Sequence, residues 1–217
     1  MDGLQFFDPK EEHTIAWKSL PHWAQAGTLC FITWRTADSL PNAVVARLAA
    51  ERRQLLDAFG LNSNGNWRRE LGTLPPADRG RLRSSLFAAW DGQLDRGAGA
   101  CVLAQPELSL IVAEGLLHFD GQRYELTDFV VMPNHVHLLV AFYGKDALLS
   151  QCRSWKRFTS GQINAALGRR GEFWQVEQFD HLVRGEEEFL GYRAYIADNP
   201  RRARLPAGSF RWYSKSL

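Results

Sequence analysis

The sequence predicts an α+β fold, in which a mostly antiparallel sheet carries helices packed on one face. Short apolar runs rich in β-branched residues alternate along the chain with longer segments of helical spacing. Two of these runs are joined at Pro133-Asn134, which indicates a short antiparallel connection. The 217 residues, of which 45% are hydrophobic and 23% charged, are enough for one substantial core.

The elements follow from period and from turn residues. The polar first 20 residues predict an arm or loop, and 62–66 (NSNGN) is a loop by composition. The predicted strands are 28–36, 123–132, 135–142 and 179–183. The predicted helices are 42–59, 75–93, 106–119, 147–167 and a last one that begins at Glu186 and ends before Pro200.

Composition excludes several classes of protein. No apolar run approaches the roughly 20 residues that span a bilayer, so we expect no membrane partner. The first residues contain no basic stretch before an apolar core, so no signal peptide is expected. The cysteines are Cys30, Cys101 and Cys152, an odd number without Cys-x-x-Cys spacing. A disulfide framework and a thiolate zinc site are therefore not expected, and a reducing cytoplasm fits.

The net charge of +2 says little, but its distribution is uneven. Residues 145–217 carry 13 Lys and Arg against 8 Asp and Glu, whereas residues 1–144 carry 13 against 16. The positive charge is thus concentrated in the last third of the chain. That distribution suits a nucleic-acid backbone, although a solvated basic face would look the same.

The run 130–140 (VVMPNHVHLLV) holds two histidines two residues apart. In a strand with a side-chain period of two, His135 and His137 point to one face and Val136 and Leu138 to the other. Imidazole is the commonest protein metal ligand, so the pair is a candidate metal site. The alternative is a strand that contains two hydrogen-bonded histidines.

The last predicted helix places a tyrosine and an asparagine four residues apart. Glu186, Glu187 and Glu188 suit a first helical turn, and Pro200 disfavours helix at the residue before it. Tyr195 and Asn199 therefore share a face. Together they offer a nucleophile and a third metal ligand; the alternative is a core tyrosine with an asparagine that helps to end the helix.

These motifs and their neighbours, taken in order, resemble the HUH single-tyrosine transposases of the REP-associated tyrosine transposase family. The similar segments are Leu20-Pro21-His22-Trp23, Phe31-Ile32-Thr33-Trp34-Arg35, Ala37-Asp38-Ser39-Leu40-Pro41, Val131-Met132-Pro133-Asn134-His135-Val136-His137, Ser154-Trp155-Lys156, Phe173-Trp174-Gln175, Phe179-Asp180-His181, Tyr195-Ile196 and Asn199-Pro200. The resemblance implies a ferredoxin-like or RRM-like core, with the histidine strand central and the Tyr195 helix across the sheet. It also implies one HUH endonuclease domain over 1–217, in which about 43–99 is a helical insertion.

The same resemblance implies a function. The protein would be a DNA transposase, a site-specific endonuclease that cleaves and rejoins hairpin-containing single-stranded DNA through a 5′-phosphotyrosine intermediate. Tyr195 would be the nucleophile, while His135, His137 and Asn199 would bind Mg²⁺ or Mn²⁺. Tyr192, three residues earlier, would pack instead. The protein would act at the nucleoid as a monomer, with a homodimer as the alternative.

Basic residues near both motifs are candidates for phosphate contact. They are Arg153, Lys156, Arg157, Arg201, Arg202 and Arg204. His181 either supports the site from behind the ligands or only ends a strand. Trp34 and Trp174 are expected in the core, although exposed tryptophans could stack on unpaired bases.

Two other functions use parts of the same sequence. A non-catalytic module that binds hairpin DNA or RNA needs the basic and aromatic residues. It has no use for a combined set of His135, His137, Tyr195 and Asn199. A metal-dependent phosphodiester hydrolase uses the two histidines and a metal-bound water, with Tyr195 structural. A Tyr195→Phe substitution separates these functions from the transposase.

Overall fold

The computed structural model describes residues 4–17, 21–65 and 67–216. Leu20 of the Leu20–Trp23 motif, Asn66 of the loop and residues 1–3 and 18–19 of the predicted arm lie outside that range. The chain divides into two compact units, one of Met1–Ala37 with Ala100–Leu217 and one of Asp38–Gly99.

The first unit contains seven strands and three α-helices in its described part. Its strands are β1 (Thr14–Trp17), β2 (Pro21–Ala24), β3 (Leu29–Arg35), β4 (Tyr124–Val131), β5 (His135–Phe142), β6 (Phe179–Leu182) and β7 (Arg211–Ser214). Three helices of the second unit, α1 (Asn42–Ala58), α2 (Trp67–Glu70) and α3 (Pro76–Leu94), fall between β3 and β4 in the sequence. The helices of the first unit are α4 (Pro106–Leu117), α5 (Ala147–Ala166) and α6 (Glu186–Arg202).

Five strands form one antiparallel sheet in the order β6-β3-β5-β4-β7. Four of these strands come from the consecutive series β3-α4-β4-β5-α5-β6. Across the sheet, the fourth strand of that series comes first and is followed by its first, third and second strands. This is the ferredoxin-like arrangement, so the predicted α+β class is confirmed. The fifth strand, β7, extends the sheet beside β4.

The central strand β5 is buried along its whole length, and its two faces differ. Val136, Leu138 and Val140 point into the main apolar core, together with residues of α4 and α5. His135 and His137 point to the opposite face, where the ring of His137 lies 5.2 Å from that of Tyr195 on α6. Two helices therefore cover one face of the sheet, and α6 covers the other.

The last helix does not end before Pro200, as the sequence predicted, but continues to Arg202. Proline removes one N–H donor but leaves its own carbonyl as an acceptor. The helix closes around it, because Ala203 N–H donates to the Asn199 carbonyl (3.0 Å) and Leu205 N–H to the Pro200 carbonyl (2.9 Å). Arg204 takes the left-handed position of this C-terminal turn, with φ of 54°, where glycine is usual.

The predicted N-terminal arm is also wrong in part, because β1 and β2 form an antiparallel hairpin in register Thr14↔Ala24. Each strand is only four residues long, too short for alternation to show among polar neighbours. The hairpin is held in the fold by packing, because Trp23 and Ala24 lie against the main core. Sequence reasoning also missed α2 and β7, which are equally short.

The second unit, Asp38–Gly99, has a small core of its own. Leu40, Leu48 and Leu94 are buried there, and Arg47 donates a 2.7 Å hydrogen bond to Gln93. The two long helices predicted in this stretch are confirmed, with ends within one residue or two of those expected. None of the helices in the described part of the chain is long and apolar enough to cross a membrane.

Helix α6 is tied to the sheet by a polar cluster. The guanidinium of Arg193 donates to Asp128 on β4 (3.1 Å) and to Ser214 on β7 (2.7 Å). Ser214 in turn donates to Asp128 (2.6 Å), whose side chain is 2% exposed. A buried carboxylate that is paired with an arginine in this way resists displacement, because losing that partner leaves a desolvated charge.

A second polar tie joins the N-terminal hairpin to β6. The Nδ1–H of His22 donates to Asp180 at 2.5 Å, and Glu177 lies 3.5 Å from Nε2. Burial lowers the pKa of His22. The hydrogen bond to Asp180 and the negative charges of Asp180 and Glu177 raise it by more, so the pKa of His22 lies above its ordinary value. Burial raises the pKa of Asp180, which His22 offsets only in part.

This pair predicts a pH-dependent contribution to stability. Because the folded state raises the pKa of His22, its stabilisation is complete below the unfolded pKa of about 6.5 and is lost as pH rises through the folded pKa. We expect the free-energy difference between the wild type and His22→Gln to be largest near pH 6 and smaller at pH 9. The loss should be about 1.4 kcal/mol per unit by which the folded pKa exceeds 6.5.

Urea unfolding at several pH values measures this difference. His118→Gln is the control, because His118 is exposed at the end of α4. A His22→Gln effect that stays constant, or grows, from pH 6 to pH 9 would contradict the assignment.

Candidate active site on the α6 face of the sheet

The two histidines of β5 form the centre of the site. Their rings lie 4.6 Å apart at 75°, and a ring nitrogen of each lies within 4.8 Å of one on the other. Both side chains are 0% exposed. The strand period brings them to one face, and the rigid central position of β5 holds them there.

Each imidazole is held through its Nδ1 atom. The Nδ1 of His135 lies 2.7 Å from Oδ1 of Asn134, and the Nδ1 of His137 lies 2.7 Å from the hydroxyl of Thr33 on β3. Burial lowers the pKa of His135 to about 3. Burial, together with the charges of His135 and Arg202, lowers the pKa of His137 well below its usual range. Both rings are therefore neutral, which is the form that binds a cation.

Tyr195 reaches this pair through an aromatic cluster around Phe31 of β3. Its ring stands edge-on to His137 at 5.2 Å and to Phe31 at 5.9 Å. Phe31 also stacks on Tyr192 with centroids 4.2 Å apart. Burial, together with the charge of Glu188, raises the pKa of the Tyr192 phenol well above its usual value. Tyr192 is thus packed into the cluster as a largely apolar ring.

Asn199, one turn beyond Tyr195, is 0% exposed. Neither its Oδ1 nor its Nδ2 has a hydrogen-bond partner among the residues that the structure describes. A buried amide without partners costs on the order of 1–3 kcal/mol. A bound cation would give Oδ1 a partner, and an amide oxygen is a suitable ligand for one.

The basic residues at the end of α6 differ from one another. Arg202 lies over the Tyr195 ring, with its guanidinium carbon 5.1 Å from the centroid. Arg201 is paired with Asp198 on the surface at 2.5 Å, and Arg204 is exposed in its left-handed turn. Exposed arginines grouped at the end of one helix suit phosphate contact.

The three basic residues of α5 lie elsewhere, on the helix that covers the opposite face of the sheet. Arg153 and Arg157 are exposed and line a cavity of about 370 Å³ beside the 171–178 segment. Lys156 instead donates hydrogen bonds to the carbonyls of Gln175 and Val176 and to the side chain of Gln178, at 3.3, 2.6 and 2.8 Å. Its ammonium is engaged in holding that segment.

His181 belongs to the edge of the aromatic cluster. Its Nε2 lies 2.7 Å from Glu188, and its ring is 5.9 Å from Tyr192. Burial opposes ionisation of Glu188, but the hydrogen bond with His181 and the N–H of Arg184 outweigh it and lower the pKa of that carboxyl. His181 thus steadies the first turn of α6 through Glu188.

Sequence reasoning missed Thr33, Asn134 and Phe31 as parts of the site. Asn134 directly precedes His135 in the sequence, but the direction of its side chain depends on the conformation of the turn. Thr33 and Phe31 are brought in by the register of β3 against β5, where Thr33 lies opposite His137. Thr33 and His137 are 104 residues apart, and local periodicity does not predict which distant strands pair.

No family model matches the chain, and no curated protein does so. A solved structure described as a REP-associated tyrosine transposase bound to a REP hairpin superimposes with a TM-score of 0.39 and 14% identity, over 83% of this chain and 71% of that chain. A likeness at this level does not establish membership in that family.

Proposed function

We propose that the protein is a DNA transposase, a tyrosine endonuclease that cleaves and rejoins single-stranded DNA. The observation that carries this proposal is the ring of Tyr195 at 5.2 Å from His137, which itself lies 4.6 Å from His135. A tyrosine beside a pair of neutral, buried imidazoles combines a nucleophile with ligands for a cation.

The proposed reaction is a transesterification. The Tyr195 oxygen forms a bond to phosphorus, its proton passes to a base, and the bond from phosphorus to the 3′ oxygen breaks. The 3′ oxygen takes up a proton, which leaves a 3′-hydroxyl and a 5′-phosphotyrosyl protein. Because the phosphodiester energy is kept in the covalent bond, the reverse step rejoins DNA without ATP.

We propose that His135, His137 and Asn199 hold a divalent cation. The buried amide of Asn199, which has no hydrogen-bond partner in the described part of the chain, supports this set. Amide and phosphate oxygens suit Mg²⁺ or Mn²⁺, whereas two imidazoles also suit a transition ion. When bound, such a cation polarises a phosphoryl oxygen and offsets developing charge. A free tyrosine has a pKa of about 10, so it needs this assistance at neutral pH.

The proposed partner is single-stranded DNA that contains a hairpin. Arg201, Arg202 and Arg204 follow the nucleophile on α6 and would contact phosphates next to the scissile one. Arg153, Lys156 and Arg157 are proposed as a further contact, and His181 as support behind the site. The protein is proposed to act as a monomer at the nucleoid, as one HUH domain with an insertion at about 43–99.

Tyr195→Phe is expected to abolish a covalent protein–DNA adduct while leaving DNA binding intact. Wild type and variant are incubated with labelled hairpin single strands and Mg²⁺ or Mn²⁺, and the products are separated on a denaturing gel. Tyr192→Phe is the matched control, because Tyr192 lies on the same helix and stacks on Phe31. It should form the adduct at close to the wild-type level.

Other results would point to other functions. Tight binding with no adduct on any of a set of palindromic substrates would favour the non-catalytic binding module. Cleaved DNA without an adduct, unaffected by Tyr195→Phe, would favour the hydrolase.

Asn199→Leu should stabilise the metal-free protein while abolishing adduct formation. Replacing a buried, unpartnered amide by an apolar side chain of similar size removes a desolvation cost on the order of 1–3 kcal/mol. Urea unfolding in EDTA measures the change in the free energy of unfolding.

Asn164→Leu is the control, because its amide is satisfied by the Gly171 carbonyl at 2.8 Å and by Arg169 at 3.0 Å. That variant should gain nothing in stability. A destabilised Asn199→Leu protein would mean that the amide has a structural partner, and would count against its role as a ligand.

A further inference from the structure

Both imidazoles of the site are approached by a polar side chain at Nδ1. Asn134 precedes His135 in the tight β4–β5 connection, and its Oδ1 lies 2.7 Å from Nδ1. Thr33 lies opposite His137 in the β3–β5 register, and its hydroxyl lies 2.7 Å from Nδ1. The two contacts come from different elements but engage the same atom of each ring.

The chemistry of these contacts decides which nitrogen can bind a cation. A neutral imidazole has one N–H and one lone pair. The amide oxygen of Asn134 can only accept, so Nδ1 of His135 carries the proton and Nε2 carries the lone pair. A hydroxyl can donate or accept, and when Thr33 accepts, His137 takes the same form.

We propose that Thr33 and Asn134 are positioning residues that hold His137 and His135 in the Nδ1–H form, so that both present Nε2 as the ligand atom. The inference rests on the proposed function, since it takes the two histidines as a ligand pair. A hydrogen bond at the non-ligating nitrogen fixes both the ring orientation and the tautomer of a metal-binding histidine.

The surroundings of both residues support this role. Thr33 is 7% exposed and Asn134 is 1% exposed, so bulk water competes little for either contact. The carbonyl of Asn134 accepts from Thr36 N–H at 2.8 Å, and Met132 N–H donates to the His135 carbonyl at 2.8 Å. The backbone on both sides of the site is therefore fixed, and the two side chains have little freedom to turn away.

The tautomers can be read directly in the metal-free protein. Long-range ¹H–¹⁵N spectra of protein labelled at histidine, recorded in EDTA at pH 7.5, distinguish Nδ1–H from Nε2–H imidazole. Signals are assigned by their loss in His135→Asn and His137→Asn. We expect the Nδ1–H form for both residues, and this measurement needs no variant of Thr33.

Substitution of Thr33 tests the consequence for metal binding. Thr33→Val should weaken Mn²⁺ binding by about 10- to 100-fold, as other losses of such partners do, and should release His137 into a mixture of tautomers. Thr33→Ser should restore both properties. Free Mn²⁺ is measured by electron paramagnetic resonance, and thermal unfolding confirms that each variant is folded.

Thr28→Val is the matched control. Thr28 directly precedes β3, is 1% exposed and donates to Gln25 at 2.9 Å, so its loss perturbs a buried hydroxyl outside the site. It should leave the tautomers and the Mn²⁺ affinity unchanged.

Two outcomes would overturn the inference alone. One is His137 in the Nε2–H form in a wild-type protein that binds Mn²⁺; the other is a Thr33→Val protein with unchanged tautomer and unchanged Mn²⁺ affinity. Absence of Mn²⁺ binding by the wild type would instead overturn the metal site of the proposed function, and with it the ligand role assumed here. The covalent-adduct assay remains an independent test of Tyr195.

Discussion

The alternation of side chains along β5 is the constraint on which the rest of the site depends. Every residue of this strand is buried, because α4 and α5 cover one face of the sheet and α6 the other. A one-residue slip would put Val136 and Leu138 against Tyr195 and bury His135 and His137 among α4 and α5. Packing of the apolar core therefore fixes the register of β5. That register places both imidazoles on the face of the sheet that α6 covers.

The other half of the site depends on how α6 is held. Phe31 stacks on Tyr192 at 4.2 Å, while Arg193 joins Asp128 and Ser214 on the far strands of the sheet. These contacts lie on the turn of helix directly before Tyr195. The helix that carries Tyr195 is thus fixed on the sheet by an aromatic stack and by an ion pair with a buried carboxylate. The amide of Asn199, which has no hydrogen-bond partner within 4–17, 21–65 and 67–216, is the feature that the fold alone does not explain.

Much of this could be predicted from the sequence, because period and turn residues carry local information. The His-x-His strand, the hairpin at Pro133-Asn134 and four of the long helices lie within one or two residues of their predicted ends. The failures have physical causes. Pro200 sits inside α6 because the carbonyls around it find donors beyond the helix, and the β1–β2 hairpin is defined by tertiary packing rather than by its own pattern. Thr33 could not be placed in the site, since its contact with His137 depends on strand pairing.

The proposed role of Tyr195 is tested by identifying the residue that becomes linked to DNA. Trypsin cleaves after Arg184, Arg193 and Arg201, so Tyr192 and Tyr195 fall on separate peptides, 185–193 and 194–201. The covalent complex is digested with nuclease and trypsin, and the modified peptide is sequenced by tandem mass spectrometry. We expect a nucleotide on Tyr195 in peptide 194–201. A nucleotide on peptide 185–193, or on any other residue, would mean that Tyr195 is not the nucleophile.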